Sequence, residues 1–369
     1  MRICLVYDCL FPHTVGGAER WYRNLAERLA ASGHEVTYLT LRQWDDKPDA
    51  PGFEAKAVGP RMGLYTRGGR RRILPPLVFG LGVLRHLLRH GGRYDAVHTA
   101  SFPYFSVLAA AAARLGRGYA LVVDWHEVWS RDYWREYLGR AGAAGWWVQG
   151  RCARVRQRAF CFSRLHARRL RECGGPEAAV LEGEYAGPLE RPQPAPPELV
   201  VLFAGRLIPE KRAPAVAPAV ALARERVPGL RCVVYGDGPD RPALERQDAE
   251  LRGFVPPEEV AAALRRALCL VLPSRREGYG LIVVEAAAAG TPSVVVAAPD
   301  NAATELIEEG VNGFVAASAS PEDLAEAIVR VHRGGDALRE STAGWFAHNA
   351  QRLSLDASLR RVVESYSAA

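Results

Sequence analysis

The chain has 369 residues, of which 49% are apolar, and a formal net charge of +7 at pH 7. Because one hydrophobic core rarely organises so many residues, the length predicts two domains. The seven cysteines are odd in number and show no Cys-x-x-Cys spacing, which argues against a disulfide framework or a zinc site and favours a reducing cytoplasm. No apolar run approaches the roughly 18 to 20 residues of a membrane span, and the N-terminus shows no cleavage site, so we expect any membrane contact to be peripheral.

The first half of the chain alternates strand-like and helix-like segments, which is typical of parallel α/β units. The predicted elements are, in chain order, strand 2–8, helix 18–33, strand 35–40, strand 94–99, helix 103–115 and strand 119–125. The first three form one complete βαβ unit.

A proline-rich segment then divides the chain. Residues 187–198 contain five prolines and few apolar side chains, so they read as a linker. The strand pattern restarts behind it, with strands at 199–205, 231–238, 269–274, 292–296 and 313–316, and helices at 321–333 and 335–366. We therefore expect Rossmann-like domains at 1–186 and 199–369, with the last helix able to pack back on the first.

Positive charge is concentrated in the first half. Residues 1–190 hold 28 Lys+Arg against 18 Asp+Glu, with arginine-rich stretches at 61–72 and 151–171. Such runs are mostly solvated helix faces, and neither is interleaved with the aromatic residues that stack on nucleic-acid bases, so no nucleic acid is expected. An anionic acceptor, an anionic membrane surface and simple solubility remain open explanations.

Two cations follow the first strand of the second half. Arg206 and Lys211 lie just past strand 199–205, and Lys211 is one of only three lysines against 45 arginines. Either Lys211 is a surface residue before a helix, or the pair offers a forked and a point cation to a diphosphate.

Three glycine-bearing loops precede helices or end strands. Gly16 and Gly17 precede the first helix, Gly236 and Gly238 lie at the end of strand 231–238, and a third loop opens a helix at Leu281. Each alone is equally typical of a tight turn. Together with Arg206 and Lys211, they predict a phosphate-binding cleft at helix N-termini.

Two further residues need an explanation. Glu285 is the single charge in the apolar helix 281–289 and should have a partner, since an unpaired buried carboxylate costs several kcal/mol. His126 directly follows strand 119–125, where sites of parallel sheets collect, although a lone histidine is more often structural. The sequence has no metal-ligand spacing, so protein groups are expected to neutralise phosphate.

Five segments resemble, in order, the motif series of glycosyltransferase family 4: GGAER, GRLIPEKR, GDGP, EGYGLIVVEAAAAGTP and GVNGF. Members are retaining nucleotide-sugar transferases. The resemblance implies an α/β GT-B fold, with two Rossmann-like parallel-sheet domains facing across a cleft. It also implies a nucleotide-diphosphate sugar as co-substrate, with UDP and GDP both open, and no metal or other cofactor.

The resemblance assigns roles to the residues already singled out. It implies that Glu285 binds the ribose hydroxyls, that Glu277 binds the transferred sugar, and that Arg206 and Lys211 bind the diphosphate. The remaining implied donor contacts are Gly16, Gly17, Gly236, Gly238, the amides of Gly278, Tyr279, Gly280 and Leu281, and His126 near the reacting centre. One departure is Asn301-Ala302 in segment 299–307, where the family often has Gly-Gly, which questions donor contacts from that loop.

The expected function is transfer of a sugar with retention, giving an α-linked product. The acceptor is either a small metabolite or aglycone, or a glycan or lipid intermediate. The alternatives are a non-catalytic sugar-nucleotide-binding protein, or an epimerase or phosphorylase of the same fold. The expected location is the cytoplasm, or the inner membrane face if the basic first domain binds anionic lipid; the oligomeric state is not predicted.

Overall fold

The computed structural model describes residues 1–14, 16–64, 66 and 71–367. Residues 65 and 67–70 of the arginine-rich stretch 61–72 therefore lie outside the described residues. The chain forms two compact units. Unit 1 comprises the described parts of 1–66, 71–182 and 358–367, and unit 2 comprises 183–357. The proline-rich segment 187–198 falls within unit 2, and the domain boundaries given above stay predictions.

Unit 1 contains a parallel sheet of seven strands in the order β3-β2-β1-β4-β5-β6-β7. The strands are β1 Arg2–Val6, β2 Glu35–Leu41, β3 Glu54–Gly59, β4 Ala96–Ala100, β5 Ala120–Trp125, β6 Arg158–Cys161 and β7 Ala179–Val180. The helices before the second unit are α1 Gly17–Ala31, α2 Leu74–His90, α3 Tyr104–Ala113, α4 Arg131–Leu138, α5 Gly142–Ala153 and α6 Arg164–Glu172.

Unit 2 contains a parallel sheet of six strands in the order β10-β9-β8-β11-β13-β15, and a two-stranded ladder of β12 and β14. The strands are β8 Val200–Ala204, β9 Arg231–Tyr235, β10 Glu250–Gly253, β11 Cys269–Leu272, β12 Arg276–Glu277, β13 Ser293–Val296, β14 Asp300–Asn301 and β15 Gly313–Ala316. The helices are α7 Val216–Ala223, α8 Arg241–Leu244, α9 Pro257–Arg266, α10 Leu281–Ala288 and α11 Pro321–Leu353, followed by α12 Leu355–Ser367.

Both sheets have a doubly wound strand order. In each, the chain starts at a central strand, moves to one edge, and returns to the other side of its starting strand. The direction therefore reverses between β1 and β4 in unit 1, and between β8 and β11 in unit 2. In open α/β sheets, ligands bind beyond the carboxyl ends of the strands at such a switch point. The prediction of two Rossmann-like sheets is confirmed.

The predicted helix 335–366 is wrong in one respect, because the chain leaves helical geometry at Ser354 (φ −72°, ψ 140°). Here the backbone pairs with an earlier segment instead: the Leu355 amide donates to the Tyr185 carbonyl at 2.7 Å, and the Tyr185 amide donates to the Leu353 carbonyl at 3.1 Å. The last helix is therefore α12, and from residue 358 onward it belongs to unit 1.

Candidate functional site

In unit 2, the predicted donor residues follow three adjacent strands. Arg206 and Lys211 follow β8, Gly236 and Gly238 follow β9, and the segment 277–281 follows β11. These strands are neighbours in the sheet, and β8 and β11 flank the switch point. The first and last of these residues, Arg206 and Leu281, are 75 positions apart in the sequence, yet both follow the carboxyl ends of neighbouring strands.

An ion pair between Lys211 and Glu277 joins the loop after β8 to the loop after β11. The Lys211 Nζ atom lies 2.5 Å from Glu277 Oε1, and the two side chains are only 21% and 9% exposed. A backbone hydrogen bond of 2.8 Å, from the Arg275 amide to the Glu210 carbonyl, ties the same two loops together. Because the pair is largely shielded from water, its attraction is stronger than that of an exposed surface pair. Arg206 lies nearby in the chain, with an exposed side chain.

The glycines after β9 have a packing role. Gly236 (φ 125°) and Gly238 (φ 152°) adopt backbone conformations that disfavour other residues. A Cβ atom at either position would overlap the backbone carbonyl of Gly205 or Leu207, respectively. The Gly236 amide already donates to a carbonyl in β10 at 2.7 Å, and the Gly238 amide donates to the preceding carboxylate at 2.7 Å. These glycines let two loops pack tightly, and their contact with a donor stays a prediction.

The start of α10 depends on Gly280. This residue caps the helix with φ 104°, and a Cβ here would lie 2.7 Å from the Ala303 Cβ. The backbone of the segment 277–281 can therefore turn sharply against the neighbouring loop. The amide of Leu281, in the first helical turn, has no partner within the helix, as in any α-helix. Such amides are suited to bind an anion.

The departure at Asn301 has a structural explanation. Asn301 pairs with Glu277 in the β12–β14 ladder and is 1% exposed. Its Nδ2 donates to the Val296 carbonyl at 2.8 Å, and its Oδ1 accepts from the Ala303 amide at 3.1 Å. The side chain thus shapes its own loop and holds the backbone beside Glu277.

Glu285 has a neighbour that its own segment could not reveal. Burial raises the pKa of the Tyr185 phenol, and the negative charges of Glu285 and Glu190 raise it further. Tyr185 therefore lies within electrostatic range of the half-buried Glu285. The Tyr185 ring also packs edge-on against Phe346, with ring centroids 5.4 Å apart. The carboxylate of the apolar helix α10 thus lies within electrostatic range of a neutral phenol.

In unit 1, the predicted glycine pair opens α1, with Gly16 as the cap and Gly17 as the first helical residue. Residue 15 lies outside the described residues. The buried carboxylate of Glu19 occupies the space that a Cβ at position 16 would take. A negative charge therefore already lies at this helix N-terminus, where it is favourable. It would oppose an incoming phosphate, and the donor role of Gly16 and Gly17 stays a prediction.

His126 follows β5 and stacks on Phe162, with ring centroids 4.3 Å apart and planes 12° from parallel. Its Nε2 atom is enclosed and has no hydrogen-bond partner within the described part of the chain. Burial lowers the pKa of His126 to about 4, although Asp124 and Glu127 act in the opposite direction. The imidazole is therefore neutral at physiological pH, so any contact with a sugar would be a neutral hydrogen bond.

A buried polar network that the sequence did not reveal lies beside His126. The Asp124 carboxylate accepts from Trp21 Nε1 at 2.7 Å and lies 2.8 Å from His98 Nε2. His98 Nδ1 shares a 2.6 Å hydrogen bond with the Tyr366 hydroxyl, in α12. Burial alone would raise the pKa of Asp124, but His98, His126 and Trp21 lower it overall. The network holds the side chains next to His126 in place. It also joins the part of α12 that belongs to unit 1 to strand β4.

The depressed pKa of His126 predicts a pH-dependent stability. In the unfolded chain its pKa returns to 6.5, so the unfolded state binds the proton first, and the free energy of unfolding falls as pH drops from about 6.5 towards 4. Linkage predicts a loss of about 2 kcal/mol between pH 7 and pH 5 from this residue. Urea unfolding at both pH values should show a smaller loss for His126→Gln than for the wild type.

Two features define the control. Burial also lowers the pKa of His86 to about 4, so part of the wild-type loss should remain in His126→Gln. The exposed His332 offers a matched substitution, and His332→Gln should keep the full wild-type loss. Equal losses for His126→Gln and the wild type would contradict the lowered pKa and the neutral state of His126.

Among the described residues, no group of three or more His, Cys, Asp or Glu residues is placed to hold a metal ion. Nor does any described helix combine the length and apolar character needed to cross a membrane.

Comparison with known proteins identifies the family. Residues 15–181 match the model described as Glycosyltransferase Family 4, and residues 198–333 match the model described as Glycosyl transferases group 1. The chain belongs to glycosyltransferase family 4. The resemblance carried by the five motifs is thus confirmed.

Curated relatives in this family include two kinds of enzyme. D-inositol 3-phosphate glycosyltransferase from Actinosynnema mirum is 32% identical over 189 residues, which cover 47% of this chain and 45% of that protein. The alignment thus spans about half the length of such relatives. Glycogen synthase from Mycobacterium tuberculosis is 27% identical over an alignment that covers 88% of this chain and 84% of that protein.

Solved structures show the same fold over the whole chain. Anabaena HepE in complex with UDP and glucose matches with a TM-score of 0.74 at 17% identity, covering all of both chains. Sucrose-phosphate synthase from Thermosynechococcus elongatus matches with a TM-score of 0.77 at 17% identity, covering 100% of this chain and 98% of that one. The GT-B fold is confirmed.

Proposed function

We propose that this protein is a retaining glycosyltransferase that moves a sugar from a nucleotide-diphosphate sugar to an acceptor and forms an α-linked product. The observation that carries the proposal is the shielded Lys211–Glu277 pair across the switch point of unit 2. Ligands of open α/β sheets bind at the carboxyl ends of the strands, where this cation and anion lie. The cation suits the diphosphate of the donor, and the anion suits the sugar hydroxyls.

In the proposed complex, the donor diphosphate replaces Glu277 as the ion-pair partner of Lys211. The two cations, Arg206 and Lys211, then balance the diphosphate charge, and the first-turn amides of α10 add further donors. Glu277 is released to accept hydrogen bonds from the sugar hydroxyls, and Glu285 accepts those of the ribose. The proposal assigns phosphate neutralisation to these protein groups and includes no metal ion.

The proposed chemistry needs no nucleophilic side chain. Transfer on one face of the sugar passes through a transition state in which the sugar gains positive charge and the departing phosphate gains negative charge. The leaving phosphate oxygen receives the acceptor proton. The main contribution of the protein is then a preorganised positive field around the leaving group. A neutral His126 near the sugar adds a hydrogen bond without adding charge there.

UDP-sugars are the first donors to test, because the similar Anabaena HepE structure contains UDP and glucose. The acceptor is either a small metabolite or aglycone, or a glycan or lipid intermediate. The positive excess of the first 190 residues suits an acceptor that carries negative charge.

The proposal predicts that nucleotide is released from one or more UDP- or GDP-sugars and that release persists in excess EDTA. A coupled nucleotide assay over a donor panel, with and without acceptor extracts, would measure this, and proton NMR of the product would give the anomeric configuration. Activity lost in EDTA and restored by magnesium or manganese would overturn the metal-free assignment. Donor binding by calorimetry without turnover under any condition would instead indicate a non-catalytic binding protein.

A further inference from the structure

Helix α2 exposes a continuous apolar face. Leu74, Leu77, Leu81 and Leu88 are 60%, 42%, 68% and 47% exposed, and Ile73, just before the helix, is 64% exposed. These leucines are spaced by three, four and seven residues, so they lie on one side of the helix. We call Ile73 and these four leucines the α2 leucine face. Such a contiguous exposed stripe marks an interaction surface, unlike single exposed leucines.

The opposite side of α2 is firmly packed, so the leucine face belongs to a fixed element. Its buried residues include Phe79 and Val83. Gly80 and Gly82 allow close approach to the neighbouring elements. A Cβ at Gly80 would lie 2.5 Å from the Phe105 Cβ in α3, and one at Gly82 would overlap the backbone of Val58 in β3. Rotation of α2 to bury its leucines would break both contacts.

The sequence segment that contains this face carries charge of a single sign. Between Glu54 and Asp95 the sequence holds nine Lys+Arg and no Asp or Glu. Arg85 and Arg89 are exposed on α2 and follow Leu81 and Leu88 at spacings that place them beside the leucine stripe. Apolar side chains flanked by arginine are suited to a surface that offers hydrocarbon below anionic groups.

We propose that the α2 leucine face docks on an anionic membrane surface. Its leucines would enter the boundary between headgroups and acyl chains, while Arg85 and Arg89 contact lipid phosphates. With 17 residues, α2 is about 25 Å long and would lie flat on the bilayer. A second copy of this chain fits the face less well, because a two-fold interface would bring the two carboxylate-free segments together and set like charges against each other.

Vesicle sedimentation tests the proposal on the full chain, without any donor or acceptor. The wild type should sediment with vesicles of equimolar phosphatidylglycerol and phosphatidylcholine, bind phosphatidylcholine alone much more weakly, and lose affinity as salt is added. The double variant Leu77→Ser/Leu81→Ser should bind the anionic vesicles about tenfold or more weakly, because both side chains lie on the inserted stripe. Arg85→Glu/Arg89→Glu should remove the preference for anionic lipid.

Phe254 gives a matched control, since it is 73% exposed and lies in unit 2. Phe254→Ser should bind vesicles like the wild type, and all variants should keep wild-type thermal unfolding because the altered side chains are exposed. A wild type that stays in the supernatant at low salt, or a leucine variant that binds like the wild type, would refute the proposal. The proposal would also be refuted if the wild type is a dimer in light scattering, does not sediment with vesicles, and becomes a monomer in Leu77→Ser/Leu81→Ser. That result would make this face a contact between copies of the chain.

Discussion

Lys211→Ala is expected to lower kcat about 100- to 1000-fold, a loss of roughly 3 to 4 kcal/mol of transition-state stabilisation, while the donor KM changes much less. The proposed role of Lys211 is to meet the diphosphate, and negative charge on that group grows as the bond to the sugar breaks. The ammonium therefore stabilises the transition state more than it stabilises the bound donor. Steady-state kinetics with the preferred donor would separate the two parameters.

The chain offers two controls for Lys211. Lys211→Arg keeps the charge but replaces a compact ammonium with a planar fork, so it should recover only part of the rate. Lys56 also pairs with a glutamate, at 3.3 Å from Glu54, but both side chains are largely exposed and lie in unit 1. Lys56→Ala should leave kcat unchanged. Near wild-type turnover of a folded Lys211→Ala would reduce Lys211 to a structural residue between β8 and the loop after β11.

The sheets could be predicted from the sequence because their central strands are buried on both faces. Such strands read as continuous apolar runs, as in VVLFA of β8 or SVVV of β13. Strands β3 and β7 were missed for the opposite reason. β3 is a partly exposed strand at the sheet edge with the mixed sequence EAKAVG, and β7 has only two residues. Neither strand has a continuous or alternating apolar pattern by which a strand can be predicted from the sequence.

The candidate site was predictable residue by residue but not as a set of contacts. Lys211 and Glu277 were each expected at a strand end, yet their ion pair depends on strand order, which places β8 beside β11. Tyr185 lies within electrostatic range of Glu285 and comes from a segment that also pairs with Ser354. No local pattern in the sequence joins residues 100 positions apart.

The glycine-rich turn after β9 shows a different limit. A GDGP turn at a strand end suits both a phosphate loop and a tight connection, since both require glycine. The structure shows the packing requirement: at Gly236 and Gly238 a side chain would overlap the loop after β8, and both amides have partners within unit 2. Packing therefore requires glycine at both positions, and the predicted donor contact is a separate role that these distances do not test.

Glu277→Gln is expected to lower kcat/KM about 100-fold or more, because it weakens the proposed sugar contacts and leaves the partly buried Lys211 without its anion. The amide keeps the size of the carboxylate and can still accept a hydrogen bond, so the fold of unit 2 should persist. Thermal unfolding of the variant would check this, and the loss should appear with each sugar of the donor panel that has hydroxyls at the contacted positions.

The double variant Lys211→Ala/Glu277→Gln tests whether the effects of the two residues on catalysis are coupled. If the 2.5 Å contact with Glu277 holds Lys211 in place until the diphosphate binds, the free-energy losses of Lys211→Ala and Glu277→Gln overlap. The double variant should then be about 10- to 100-fold more active than the product of the two single losses predicts, a coupling of roughly 1.5 to 3 kcal/mol. Part of the loss in Glu277→Gln comes from misplacing Lys211, and that part cannot be lost again once Lys211 is alanine. Strict multiplication of the two losses, measured as kcat/KM in folded variants, would mean that the ion pair between Lys211 and Glu277 has no role in catalysis.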